Sequence, residues 1–256
     1  MMQRMQITIF LLFALAITGQ MQAAIQWDIY EDAVIDEVGD FYNRIRIYDT
    51  APNHTTAIMV GGRVDVMSVY DASTLCITGG NVSSLGAFDS STVNISGRAQ
   101  IRSSLSGEWS TINISAGSIY NTSVDDYATL NISGGSVEWV LDVAGFATMN
   151  MTGGQINHLE LYDNAIANLR GGHVSTIIVD IRDGFNGIVN IYGNNLVKTQ
   201  VGGRYGVGQV YGVYPDGSDF CTDLGTGAYP YVNLIPEPAT VFLFCIGGLF
   251  VKVQRK

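Results

Sequence analysis

Three columns of polar residues recur along the middle of the chain, and their side chains are of the kind that bind a repetitive ligand. Threonines, asparagines and a second set of hydroxyl residues each return after every 18 or 19 residues. Side by side on a flat sheet, such hydroxyls and amides would match the repeat of a polysaccharide or of ice. The same side chains would also satisfy one another in ladders, which is the favoured interpretation. The candidate ligand face comprises Thr92, Asn94, Thr111, Asn113, Thr129, Asn131, Thr148 and Asn150.

An acidic column precedes the asparagine column by five residues. It comprises Asp71, Asp89, Glu108, Asp126 and Asp163, and Gly145 interrupts it. Calcium would bridge these carboxylates, with Asp71, Asp89, Asp126 and Asp163 as candidate ligands. Alternatively, each carboxylate would accept a backbone N–H two or three residues further on in an Asx-type turn. One carboxylate per repeat lacks the dense oxygen clustering that Ca²⁺ prefers, so the turn is favoured and no metal or other cofactor is expected.

Catalytic motifs are sparse in this chain. Its three histidines occupy different positions of the repeat, and no HExxH, GxSxG or cysteine and histidine metal spacing occurs. The one irregular cluster is Asp180, Arg182 and Asp183, where the repeat spacing stretches. Carboxylates stacked one turn apart would lie near the separation that retaining glycosidases need, but any regular ladder produces that geometry. We therefore expect no enzymatic activity, and a polysaccharide lyase or hydrolase is the alternative.

The polar columns belong to a repeat that predicts a stacked solenoid. In the copy at residues 126–135, polar and apolar residues alternate before a glycine pair. This period of 2 is typical of a strand with one buried face. Leu130 and Ile132 should therefore point into the core, and Thr129 and Asn131 should point outward.

A second strand per repeat is indicated by apolar residues after the glycines, such as Val82, Ile119 and Val137. The glycines between the two strands supply the positive φ of a corner. Because equivalent residues return once per turn, stacking places like over like in parallel, in-register sheets about 4.8 Å apart. The sequence therefore predicts an all-β fold, a parallel β-helix of about seven to eight turns, and the general preference for right-handed crossovers makes it right-handed.

Segments without the repeat flank this solenoid. We predict a signal peptide at residues 1–24, an N-terminal cap and first turn at 25–57, solenoid repeats at 58–193, a C-terminal hairpin cap at 194–234, and a sorting tail with a short transmembrane segment at 235–256. The hairpin is indicated by Pro215-Asp216-Gly217 between two strand-like runs. Cys76 and Cys221 would lie at opposite ends of the rod, too far apart for a disulfide.

Both termini carry signals of export. Arg4 precedes an apolar run at residues 7–17, and small residues follow at Ala23-Ala24, as in a cleavable secretory signal. At the other end Pro236-Glu237-Pro238 precedes an apolar run at residues 241–251 and a basic end. That run is shorter than the roughly 20 residues of a stable helical span, so it is a marginal anchor. The formal net charge of −10 argues against nucleic acid as a partner.

The C-terminal tail resembles the PEP-CTERM protein-sorting tail of Gram-negative bacteria, through Pro236, Glu237 and Pro238, the apolar run and the basic end. The resemblance implies secretion machinery and a membrane sorting protease as partners, transient anchoring in the inner membrane, and delivery to the cell envelope, cell surface or exopolysaccharide matrix. The label of an ice-binding protein's C-terminal domain, sometimes given to this family, concerns the tail alone. We predict a structural or adhesive matrix component with extracellular polysaccharide as a partner, and a flat-face binder of glycan or ice is a further alternative.

Overall fold

The computed structural model describes residues 25–36, 41–50, 52, 54–180 and 187–237. The first nine strands are β1 (Gln26–Ile29), β2 (Ala33–Ile35), β3 (Phe41–Ile47), β4 (Thr56–Met59), β5 (Arg63–Val69), β6 (Thr74–Ile77), β7 (Asn81–Ala87), β8 (Thr92–Ile95) and β9 (Gln100–Ser106). The next ten are β10 (Thr111–Ile114), β11 (Ser118–Val124), β12 (Thr129–Ile132), β13 (Ser136–Val143), β14 (Thr148–Leu161), β15 (Ile166–Val179), β16 (Ile188–Thr199), β17 (Gln209–Val213), β18 (Asp219–Leu224) and β19 (Val232–Pro236). A short 3-10 helix spans Tyr229–Tyr231.

The strands form two parallel stacks that wind as a β-solenoid of about eight turns, which confirms the predicted fold class. One stack runs β2, β4, β6, β8, β10, β12, β14, β15, β16 and β19. The other runs β1, β3, β5, β7, β9, β11, β13, β14, β15 and β18. Pairing is in register, as between Thr111 and Thr129. β14 and β15 contribute to both stacks because each continues through the corner.

Alternating polarity decides which side chains enter the core. Leu130 and Ile132 are buried, whereas Thr129 and Asn131 are partly exposed, as predicted. The inward residues of successive turns pack on one another in a single hydrophobic core along the solenoid. Burying a large aliphatic side chain in this way contributes about 1.5–3 kcal/mol. The apolar half of the repeat is therefore what drives the stacking.

The pairing between the second strands of successive turns is interrupted at one position in most turns. β5 pairs with β7 through Val64 and Val82 and resumes at Val66 and Ser84, so the pairing skips Asp65. The same interruption recurs further along the stack, for example between Ile119 and Asn121 of β11. The turns from β3 to β15 thus have three pairing segments each, where the sequence indicated two.

Where a corner carries a glycine pair, the two glycines have different roles, as Gly134 and Gly135 show. Gly135 has φ +75°, which is the corner conformation that the sequence predicts. Gly134 is required for space, because a Cβ there would lie 2.2 Å from the carbonyl oxygen of Ser115 in the preceding turn. The pair therefore combines a corner with a close approach of two backbones.

The C-terminal end closes with the predicted hairpin. β17 runs antiparallel to both β16 and β18, and Tyr214 and Phe220 are buried there with stacked rings. β19 then adds a last parallel strand on β16, and Pro236 is its final residue. At the N-terminal end parallel pairing already begins at Gln26, opposite Arg44.

Several sequence predictions fall outside the described residues. These are the signal peptide, Arg182 and Asp183 of the irregular cluster, and the tail from Pro238 onward. Within the part of the chain that the structure describes, no helix has the length and apolarity of a membrane span.

Candidate functional site

The asparagine column forms one continuous hydrogen-bonded ladder. In each step an Nδ2 donates to the Oδ1 of the asparagine in the preceding turn, over 2.9–3.1 Å. The members are Asn94, Asn113, Asn131, Asn150, Asn168, Asn190 and Asn233. Below Asn94 the ladder ends on the thiol of Cys76, with 3.8 Å between Nδ2 and Sγ. Each inner amide thus donates one hydrogen bond and accepts another within the protein, as the ladder interpretation predicts.

The sequence did not reveal the last two members of this ladder. Asn190 lies 22 residues after Asn168, and Asn233 lies 43 residues after Asn190. Insertions at the C-terminal end hide the period, although the chain returns to the same column each time. The signal that was available is the alternation around Asn190, where the neighbouring Val189 and Ile191 are buried.

The hydroxyl columns flank the ladder on the same parallel stack. Thr111 pairs with Thr92 and Thr129, so the threonine column is in register from turn to turn. In the third column the hydroxyls of Ser115 and Ser133 donate to backbone carbonyls of the preceding turn, at 3.3 and 3.4 Å. All three predicted columns therefore lie together on one face, and ligand binding by that face stays a prediction.

The acidic column occupies a left-handed corner and binds backbone across turns. Asp71, Asp89, Glu108, Asp126 and Asp163 all have φ between +52° and +56°. The carboxylate of Asp89 accepts the N–H of Asp71 at 2.9 Å, and Glu108 and Asp126 each accept the N–H of the acidic residue one turn earlier. The prediction of an Asx-type turn was wrong about the hydrogen-bond donor. The N–H group that donates to each carboxylate lies in the preceding turn and not two or three residues further along the chain.

Gly145 shows why the acidic column tolerates one exception. Its φ is +61°, so a glycine satisfies the corner conformation without strain. It has no side chain to accept the N–H of Asp126, and the neighbouring Asp125 accepts it instead at 2.7 Å. Asp163 accepts the N–H of Gly145 and resumes the series. No group of three or more residues suited to hold a metal ion occurs in the described ranges, which include all four candidate calcium ligands.

A pair of carboxylates that the sequence did not predict lies on the second stack. Asp142 of β13 is the register partner of Glu160 of β14. Both are half-buried, and the hydroxyl of Tyr162 donates to Glu160 Oε2 at 2.7 Å. Trp139, His158 and Tyr205 line the same groove. The signal was present in the sequence, since Asp142 and Glu160 are one repeat apart and so are Trp139 and His158.

Burial and neighbouring charges shift the pKa values of two side chains in this groove. Burial raises the pKa of Asp142, and the neighbouring Glu160 raises it further. Burial also raises the pKa of the Tyr162 hydroxyl, and its hydrogen bond to Glu160 adds to the effect. A carboxyl of raised pKa beside a second carboxyl can hold and release a proton, which is the arrangement on which general acid and base chemistry depends. Asp180 is the only residue of the irregular cluster that the structure describes, and its charge also raises the pKa of Tyr162.

The contribution of Asp142 to the stability of the fold should be less favourable at neutral pH than at acidic pH. Since its pKa is higher in the folded than in the unfolded chain, its contribution to stability is present below the ordinary Asp pKa. That contribution is lost as the pH rises through the folded pKa. We expect Asp142→Asn to raise the urea unfolding midpoint relative to wild type at pH 7 and to leave it unchanged at pH 3.5. Glu138→Gln, an exposed change on the same strand, is the control and should show no such difference. An equal effect of Asp142→Asn at both pH values would contradict the prediction.

Aromatic side chains form two stacked ladders beside the acidic column. One precedes the acidic residues and joins Tyr30, Tyr48, Tyr70 and Phe88, with ring centroids 5.4, 5.0 and 5.3 Å apart. The other follows the acidic residues and joins Trp109, Tyr127 and Phe146, at 4.5 and 5.2 Å. In-register stacking places like side chains one turn apart, and offset or parallel ring pairs of this kind contribute about 0.5–1.5 kcal/mol each.

Neither of the two cysteines that the structure describes forms a disulfide. Cys76 is half-buried at the foot of the asparagine ladder and Cys221 is exposed on β18, and both are free thiols.

No protein-family model matches this chain, and neither a curated protein nor a solved structure matches it.

Proposed function

We propose that this chain is an exported structural rod, displayed at or released from the cell surface, that serves as a structural or adhesive component of an extracellular matrix. The observation that carries the proposal is the asparagine ladder, which runs without interruption from Asn94 to Asn233. Its amides, like the acidic corner, are engaged in holding turns together. The most regular hydrogen bonds on the surface thus link each turn of the rod to the next.

The C-terminal motif supports export by its position at the end of the solenoid. Pro236 is exposed at the end of β19, and the N–H of Glu237 donates to the carbonyl of Gly193 at 3.0 Å. Proline at both ends of the motif disfavours helix and keeps the backbone extended. A protease that cuts beyond this motif would therefore leave every turn of the solenoid intact.

Export and processing can be followed in a Gram-negative host that encodes a matching sorting protease. An epitope tag inserted at the exposed turn of Gly217, where no atom lies within 4 Å of an added Cβ, should report the chain without disturbing its core. We expect the tagged chain at the cell surface or in the medium as a fragment shortened at its C-terminus. Replacing Pro236, Glu237 and Pro238 by alanine should hold the full-length chain in the inner membrane and lower the amount of sedimentable matrix.

Asp219→Ala, an exposed change in β18 outside the motif, is the matched control and should be exported normally. Retention of the wild-type chain in the cytoplasm would contradict the export proposal. Unaltered processing of the triple variant would contradict the role of the motif.

A further inference from the structure

The second aromatic ladder is unusually open to solvent. Trp109, Tyr127 and Phe146 are 68%, 49% and 56% exposed, although their rings stack within 7° of parallel. The rings cover one another's faces inside the ladder. Only the outer faces of the two end rings are therefore free to receive another flat group.

The outer face of Trp109 looks onto a position with a small side chain. Backbone pairing places Ser90 directly below Trp109, since the N–H of Trp109 donates to Asp89 and the N–H of Ser90 donates to Asp71. The hydroxyl of Ser90 is turned back to the carbonyl of Asp71, at 3.0 Å. The ladder thus ends at Trp109, because Ser90 holds the corresponding position in the turn below, about 4.8 Å away, and Ala72 holds it in the turn before that.

Carboxylates border this open position, and the groove is lined by Asp89, Ser90, Glu108, Trp109, Asp126 and Tyr127. One oxygen of Asp89 accepts the N–H of Asp71, and one oxygen of Glu108 accepts the N–H of Asp89. Each carboxylate keeps its second oxygen as an acceptor at the edge of the groove. At the other end of the ladder Phe146 faces the turn of Asn164, and Gly145 supplies no carboxylate there.

We propose that the open face of Trp109 binds a pyranose ring of a neutral saccharide. The apolar C–H face of the sugar would continue the ladder on the indole, while hydroxyls around its rim donate to Asp89 and Glu108. Such a combination of an aromatic platform with a few convergent acceptors is typical of small-ligand sites. The inference gives the proposed adhesive role a ligand class, and it rests on that role only for its biological setting.

Charge and shape select the saccharide class. The bordering carboxylates repel uronic acid and sulfated sugars, because like charges at short range are unfavourable. The carboxylates would attract a compact cation, but an exposed ion pair contributes only about 0–1 kcal/mol and a cation–π contact with one exposed ring only about 0.5–1 kcal/mol. A neutral sugar uses the face and the rim together, so it matches more of the groove.

Calorimetric titration of the purified full chain, kept in mild detergent, tests the proposal with three probes: a neutral hexose tetrasaccharide, a uronate tetrasaccharide and choline. We expect binding of the neutral sugar alone, and at least about tenfold weaker binding by Trp109→Ala, as for a central aromatic anchor. Ser90→Leu should abolish binding, because the larger side chain covers the indole face without presenting a flat ring of its own, and folding should be preserved because position 90 is exposed.

Two matched variants locate the site. Trp139→Ala removes an exposed tryptophan of a different groove, and Thr148→Lys alters the threonine face two turns away from Trp109; both should bind the sugar normally. Binding that survives Ser90→Leu, that is lost in Thr148→Lys, or that is seen only with uronate or choline would overturn the proposal. No binding of the neutral sugar would overturn it too. Cell fractionation tests export separately, so either proposal can fail without the other.

Discussion

Gly134→Ala should lower the free energy of unfolding by about 3 kcal/mol, because it forces a methyl group against backbone. The added Cβ would lie 2.2 Å from the carbonyl oxygen of Ser115. That carbonyl cannot retreat, since the pairings Ile114 with Ile132 and Ser118 with Ser136 fix the spacing of the two turns on both sides. Denaturation with urea, followed by circular dichroism, measures the loss.

Gly217→Ala separates the close contact from backbone strain. Gly217 has φ +88° in the hairpin turn, and nothing lies within 4 Å of a Cβ added there. An alanine at this position meets only the conformational penalty of a left-handed residue, about 1–2 kcal/mol. If Gly134→Ala costs no more than Gly217→Ala, the spacing between turns is more adaptable than the structure indicates, and the explanation of the glycine pair fails.

Asn131→Leu should destabilise the fold by about 2 kcal/mol, because it breaks the ladder at its centre. Asn131 donates to Asn113 at 2.9 Å and accepts from Asn150 at 3.0 Å. The leucine leaves one acceptor and one donor unsatisfied in a partly buried position, and such groups cost about 1–3 kcal/mol when water cannot reach them. Thermal and urea unfolding should both register the loss.

Asn233→Leu is the matched control at the end of the ladder. Asn233 is exposed and makes a single ladder bond, to Asn190 at 3.1 Å. Removing it leaves one group that water can solvate, so the loss should stay below about 1 kcal/mol. Equal losses in the two variants would mean that the ladder has no cooperative role in stability, and would remove the observation on which the proposed structural function depends.

The acidic column shows that a sequence pattern can predict a backbone contact without identifying the donor. The spacing of Asp71, Asp89 and Glu108 predicted a repeated backbone contact, and such a contact exists. The sequence suggested a donor nearby in the chain, because a local turn is the usual partner of an aspartate. In a solenoid the nearest free N–H belongs to the turn below, at a sequence distance of 18 or 19 residues. Gly145 fits the same account, since what this corner demands first is a left-handed backbone.

Contacts between residues that are distant in the sequence also explain why some residues of the candidate sites were not predicted. Asp142 and Glu160 lie one repeat apart, yet their column contains other residue types, such as Ser123 and Ile178. The outer face of Trp109 is open because Ser90, one turn earlier, has a small side chain. Such an opening can be recognised only when the pairing register between turns is known residue by residue.

By itself, the sequence determined the repeat, the inward and outward faces of its strands, the in-register parallel stacking and the C-terminal hairpin. These follow from local alternation of polarity and from a period that returns equivalent residues once per turn. Only the tertiary structure decided which polar groups satisfy one another, why Gly134 and Gly135 serve different purposes, and where a ring face or a carboxylate pair stays open. Those properties depend on distances of a few ångströms between neighbouring turns, and one-dimensional spacing does not contain them.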